Sequence, residues 1–215
     1  MGTFQGRPAL IFSAAPETEY GYIHDYLAAH PDAVICCADA GVRHARAVGV
    51  TPDVVVGDFD SGTCPTEGEV IHLQPEKDDT DTQHCLRLLI DRGCAEITVV
   101  CATGGRIDHL LGNLSLCEQA HALGGRCRIL DRQNLIFLHE GGAQHFKMPP
   151  QYRFFSIVPL DATLQDVTIT GAKYPLEHAA INRIGMISIS NEAVQQTVGI
   201  EIGEGSALIV LARDA

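Results

Sequence analysis

Short apolar runs alternate with helical patterns through the first two-thirds of the chain, and no other feature constrains the fold as much. The runs cover residues 9–12, 34–38, 54–56, 70–73, 97–101 and 127–130 and are rich in Val, Ile and Cys. Strands covered on both faces read as such near-continuous apolar stretches. The segments between them predict helices over 17–29, 42–48, 81–92 and 108–123, with Gly93 and Gly124 where helix C-caps belong. This alternation predicts an α/β fold, an N-terminal doubly wound, mostly parallel sheet. After about Leu135 the long helical patterns stop. Residues 153–159, 166–170, 186–190, 197–202 and 207–211 read as strands separated by Gly, Pro and Asn, which predicts a C-terminal all-β sandwich. With Gly141-Gly142 as the joint, the expected domains are 1–140 and 141–215.

In an open parallel sheet, ligands bind beyond the carboxyl ends of the strands. Four strand ends carry aspartate: Asp39-Ala40-Gly41, then Gly57-Asp58-Phe59-Asp60-Ser61, then Lys77-Asp78-Asp79-Thr80-Asp81, then Gly104-Gly105-Arg106-Ile107-Asp108-His109. In extended chain Asp58 and Asp60 point to one side. At a helix start Asp78 and Asp81 share a face. Such a cluster repels itself without a cation, and oxygen ligands without a Cys or His pattern favour magnesium over zinc. The expected metal ligands are Asp58, Asp60, Asp78 and Asp81, with Asp79 and Thr80 as turn and capping residues. Gly104-Gly105-Arg106 leads into a helix, where backbone amides and a forked guanidinium suit phosphate. His109 and Asn113 share a helical face beside an apolar stripe of Leu110, Leu111 and Leu114. Neither a G-x-x-x-x-G-K-[ST] loop nor a G-x-G-x-x-G fingerprint is present, and no G-x-S-x-G elbow.

Composition bounds the partners. The formal net charge of −12 disfavours a nucleic-acid backbone as ligand, though not a nucleotide whose charge a metal ion carries. No segment approaches the roughly 20 apolar residues of a membrane span, and the apolar stretch at 9–12 is too short for a signal peptide. The eight cysteines form no C-x-x-C pair and most lie in apolar runs. They are expected as free thiols acting as small hydrophobes in a cytoplasmic protein, with no zinc site.

Taken in order, Asp39-Ala40-Gly41, Gly57-Asp58-Phe59-Asp60-Ser61, Asp78-x-Thr80-Asp81, Gly104-Gly105-Arg106-x-Asp108-His109-x-x-x-Asn113 and Ser190-Asn191-Glu192 resemble the thiamine pyrophosphokinase family. The resemblance runs from about residue 35 to the end. It implies a homodimer that moves the pyrophosphoryl group of ATP to the hydroxyl of thiamine and releases AMP. Thiamine would lie at the subunit interface and magnesium with ATP at the aspartates. Asp39, Gly104, Gly105, Arg106, His109 and Asn113 would bind ATP, and Ser190 and Asn191 would bind the pyrimidine ring. Asp58, Asp60, Asp81, Arg106 and Asp108 would be catalytic, with Asp108 orienting or deprotonating the acceptor hydroxyl. Three positions depart from the family: Ala40 replaces a common glycine, Ala193 a common aromatic, and the chain has no tryptophan. These departures leave two alternatives open, a pyrophosphokinase for another hydroxymethyl heterocycle such as a pterin, and a non-catalytic nucleotide sensor.

Overall fold

The computed structural model describes residues 4–59, 65–74, 76, 78–185 and 187–214. Two compact units divide between Arg132 and Gln133. In the first, six parallel strands are laid out in the order β6-β5-β1-β2-β3-β4. They are β1 (Ala9–Phe12), β2 (Val34–Ala38), β3 (Val54–Gly57), β4 (Glu69–His72), β5 (Glu96–Val100) and β6 (Arg126–Leu130). Every residue of β1, β2 and β3 is buried. Alternate side chains leave opposite faces of a strand. Leu10, Phe12, Ile35, Cys37 and Val55 therefore pack with Ile23 of α1 (Gly21–Ala29) and with Ala45 and Val48 of α2 (Val42–Val48). Cys36 points the other way, against Cys85 of α3 (Asp81–Asp91). Helices on both faces explain why these strands read as unbroken apolar runs.

The helix boundaries have local causes. Thr80 caps α3 in a capping box: its Oγ1 accepts from Gln83 N at 3.2 Å, and Gln83 Oε1 accepts from Thr80 N at 2.8 Å. The single helix expected over 108–123 is two, α4 (Ile107–Leu114) and α5 (Leu116–Ala122). Ser115 separates them, its hydroxyl donating back to Gly112 O at 2.8 Å.

The second unit is a sandwich of two antiparallel sheets. One is ordered β12-β9-β14-β7 and the other β11-β10-β13-β8. The strands are β7 (Asn134–His139), β8 (Gly142–Lys147), β9 (Phe154–Pro159), β10 (Thr163–Thr170), β11 (Leu176–Asn182), β12 (Asn191–Glu192), β13 (Thr197–Glu204) and β14 (Ala207–Ala212). Phe155, Ile157, Ile209 and Leu211 of the first sheet meet Leu164, Val167, Ile169, Val198, Ile200 and Ile202 of the second. Two sequence expectations are corrected. Gly141-Gly142 falls between β7 and the start of β8, inside this unit, because β7 pairs with β14. The segment expected as a strand at 186–190 consists of turns and bends in its described residues, with Met186 outside them.

His139 joins the two sheets. It is fully buried; Gly141 N donates to its Nδ1 at 3.1 Å, which leaves Nε2 as the donor to Ile200 O at 3.2 Å. Burial holds the imidazole below its usual pKa, so the neutral form is the folded form. The unfolded chain takes up the proton first as pH falls through about 6.5. This contribution to stability is therefore complete above that value and is lost below it. The thermal midpoint of the sandwich should fall between pH 7 and 5, and His139→Gln should flatten that slope. Equal slopes in the two proteins would assign the dependence elsewhere, for instance to His44, which burial also lowers.

Candidate active site

The chain lays β2, β3 and β4 on one side of β1, then returns to place β5 and β6 on the other. The order reverses between β1 and β5, and beyond such a reversal the two strand ends part and open a crevice. The chain leaving β1 stays tied to the end of β5: Ser13 N donates to Val100 O and Ala15 N to Cys101 O, both at 2.9 Å. Beyond these bonds lies a cleft of about 360 Å³ lined by Ser13, Ala14, Ala15, Pro16, Gly104, Gly105, Arg106, His109 and Asn113. Five residues expected to bind a nucleotide are thus brought to one place.

The glycine turn is shaped by its neighbour. Gly105 has φ 66°, and a Cβ on it would stand 2.9 Å from Pro16 Cδ. Any side chain there is strained and would press on the opposite wall. Arg106 is the N-cap residue of α4, in extended conformation, and its side chain makes no capping bond. Its guanidinium instead binds Asp108, Nε to Oδ1 at 3.1 Å and Nη2 to Oδ2 at 2.6 Å. Asp108 Oδ1 also accepts from His109 N at 2.9 Å. The Arg106 hydrogen bond, before all other causes, holds the Asp108 carboxyl down to about 2. While this pair is intact, Asp108 is a poor proton acceptor and Arg106 is neutralised. Asn113 is buried and donates Nδ2 to Ala102 O at 2.8 Å, so it fixes the backbone entering the glycine turn.

Along the same edge, three non-glycine residues adopt left-handed backbone immediately after strands: Asp39 (φ 43°), Phe59 (φ 54°) and Cys101 (φ 53°). Such conformations cost energy and concentrate at functional sites. Gly57 ends β3 against Asp39, where a Cβ would stand 3.0 Å from the Asp39 Cα. Asp58 is half-buried beyond Gly57; Asp60 lies outside the described residues. The left-handed Phe59 removes the extended geometry from which a shared side for Asp58 and Asp60 was expected. Asp78 precedes the Thr80 cap, so it shares no helical face with Asp81, the first residue of α3. Asp79 pairs with Arg87. One oxygen of Asp81 is buried.

Among the described residues, no group of three or more His, Cys, Asp or Glu side chains could by itself hold a metal ion. The oxygen-only donors Asp58, Asp78 and Asp81 still fit magnesium, which keeps waters and takes one or two carboxylates together with substrate phosphates.

In the second unit, Ser190 has φ 59°, and its N–H donates to Ser156 Oγ at 3.0 Å. Asn191 is buried and its amide is fully engaged. Oδ1 accepts from Tyr174 N at 3.0 Å and from Glu192 N at 2.9 Å, while Nδ2 donates to Tyr174 O at 2.8 Å. The side chain expected to touch substrate therefore clamps backbone. What it presents is the Tyr174 ring, 60% exposed, with Lys173 Nζ 5.5 Å from its centroid.

Residues 27–129 match the family model for the thiamin pyrophosphokinase catalytic domain, and residues 144–206 match the thiamin pyrophosphokinase vitamin B1 binding domain. The chain belongs to the thiamine pyrophosphokinase family. It is 28% identical over 183 residues to thiamine pyrophosphokinase of Bacillus subtilis, covering 82% of this chain and 86% of that protein. The crystal structure of the Bacillus subtilis thiamine pyrophosphokinase superposes with a TM-score of 0.88 at 25% identity, over 97% of this chain and 100% of the other. That of the Geobacillus thermodenitrificans thiamin pyrophosphokinase gives 0.85 at 27% identity, over 97% and 98%. Membership of the thiamine pyrophosphokinase family makes the chain a diphosphotransferase that uses ATP and thiamine.

Two features of this thiamine pyrophosphokinase family member escaped the sequence reading. The wall at residues 13–16 carries no charged side chain; its only signal is Pro16 closely following a buried strand. Tyr174 lies in a turn between strands, and nothing local marks it as the partner of Asn191. The Arg106–Asp108 pair makes a direct prediction. Carboxyl carbon NMR should find Asp108 titrating at about 2, and Arg106→Ala should return it toward roughly 3.9, the value of an unpaired aspartate. An unchanged titration would mean that the pair does not form in solution.

Proposed function

We propose that the cleft between residues 13–16 and the Gly104-Gly105-Arg106 turn binds ATP and that the chain transfers its β,γ-pyrophosphoryl group to thiamine. The supporting observation is the convergence of a glycine turn, a helix start and an arginine at the point where the sheet order reverses. The α4 amides and the Arg106 guanidinium suit phosphate oxygens. Arg106 would have to exchange Asp108 for phosphate, which leaves the carboxylate beside the nucleotide to orient the acceptor hydroxyl. In the transfer, the thiamine hydroxyl oxygen bonds to the β-phosphorus, the bond to the α,β-bridging oxygen breaks, and AMP departs with that oxygen. Such reactions are catalysed chiefly by positioning and charge neutralisation. Asp58, Asp60, Asp78 and Asp81 are the candidate holders of magnesium, which when bound would neutralise phosphate charge.

The vitamin B1 model over 144–206 favours thiamine above another hydroxymethyl heterocycle. Ser190, and Tyr174 as fixed by Asn191, are the candidate acceptor contacts. A homodimer with the site at its interface is supported by exposed apolar side chains on each unit. Ile107 and Leu111 of α4 are 70% and 62% exposed, and Ile184 and Ile187 of the sandwich are 90% and 63% exposed. Leu111 thus departs from the packed stripe expected of α4. A cytoplasmic location is supported by seven described cysteines that are free and buried.

With ATP, magnesium and thiamine, the protein should release one AMP for each thiamine diphosphate formed. Asp58→Asn should lower kcat by at least about a hundredfold without unfolding the chain. Absence of AMP with thiamine, but not with a hydroxymethylpterin, would overturn the acceptor. Asn191→Ala should raise the thiamine KM roughly fivefold to a hundredfold and leave the ATP KM unchanged, because it frees Tyr174 rather than any phosphate contact. An ATP KM that rises equally would remove Asn191 from acceptor recognition.

A further inference from the structure

One wall of the cleft has no binding groups of its own and is held from behind by α2. Residues 13–16 join β1 to the turn before α1 and carry only small or imino side chains. Arg43 reaches across from α2 and donates Nη2 to Ala14 O at 2.8 Å, a contact between residues 29 apart. Its neighbour His44 is buried, and its Nδ1 stands 2.9 Å from the Tyr20 hydroxyl. That hydroxyl donates to Glu17 O at 3.0 Å. Because the hydroxyl has one proton and gives it to Glu17 O, His44 Nδ1 is the donor to Tyr20. The Glu17 carboxylate closes the turn, with Oε1 accepting from Thr18 N at 2.7 Å and Glu19 N at 2.9 Å and Oε2 from Tyr22 OH at 3.0 Å. On its inner side the same wall touches the glycine turn through Pro16 and Gly105. The loop has no strand or helix of its own from residue 13 to residue 20. Its position is set by these bonds and by the two backbone bonds to β5.

We propose that Arg43 and His44 are positioning residues for the nucleotide: they brace residues 13–16 at the spacing from the Gly104-Gly105-Arg106 turn that phosphate binding requires. The proposal rests on the reading of this cleft as the ATP site. Loss of the brace lets the wall move, so bound nucleotide must pay the cost of ordering it. The α3 aspartates and the sandwich are untouched by this loss.

The experiment measures the dissociation constant of a non-hydrolysable ATP analogue with magnesium, together with the KM values of ATP and thiamine. Arg43→Met keeps the stem of the side chain and removes its donors. It should weaken analogue binding and raise the ATP KM about tenfold, with thiamine KM, kcat and thermal midpoint little changed. Arg43→Lys, which restores a donor, should recover part of the loss. Tyr20→Phe removes only the hydroxyl that links His44 to Glu17 and should act in the same direction; it serves if Arg43→Met does not fold. Gly105→Val and Arg106→Ala report separately on the cleft. If these two abolish analogue binding while Arg43→Met and Tyr20→Phe leave it intact, the wall needs no brace and the proposal is wrong. If Gly105→Val and Arg106→Ala also leave binding intact, the nucleotide lies elsewhere and the reading of the cleft falls with it.

Discussion

A parallel sheet buried on both faces gives polar side chains one place to work, the ends of its strands. In the first unit β1, β2 and β3 have no exposed residue, so every catalytic group must sit on the loops that leave their carboxyl ends. Strand order then selects among those loops. With β5 returning to the far side of β1, the loops after β1 and β5 separate, and the cleft opens there. The remaining aspartate-bearing ends, after β2, β3 and β4, run along one side of that cleft's edge of the sheet. Site and fold follow from the same burial requirement.

Strain is confined to this edge within the first unit. Asp39, Phe59 and Cys101 take left-handed backbone directly after three buried strands, while Gly57 and Gly105 leave room for the neighbouring chain to approach. A β-carbon at either glycine would meet an atom within about the contact distance that real side chains avoid. Backbone here is set by what must fit beside it, and the flanking strands are rigid enough to hold it. The second unit solves a different problem. Its core is made by two sheets of alternating residues, and His139 crosses between them with both ring nitrogens engaged. Its Asn191 is likewise spent on backbone, which turns a residue type suited to recognition into one that fixes the recognising surface.

Charge is arranged in pairs. Arg106 with Asp108, Arg87 with Asp79, and Glu192 with Lys173 and Arg153 all lie at or near surfaces. Exposed pairs of this kind contribute little to stability because water screens them. Their weight is in control of which charge is available: Arg106 meets phosphate only by leaving Asp108.

The sequence by itself determined the class of fold and most of the strands of the sheet, because burial on both faces writes itself as unbroken apolar runs, and it located the aspartates because they follow those runs directly. The capping box at Thr80 was legible for the same reason, being local. The Gly104-Gly105-Arg106 turn and its helix were legible as a motif. Four strands, β7, β8, β11 and β12, were not legible, since edge and half-covered strands mix polar with apolar residues. The joint was misplaced by a glycine pair that serves a turn inside the sandwich. The wall at residues 13–16, its brace by Arg43 and His44, and the clamp of Asn191 on Tyr174 were decided only by tertiary structure. Each is a hydrogen bond between groups 17 to 29 residues apart, and a side chain's partner at that distance depends on how the elements between them pack, which no local pattern encodes.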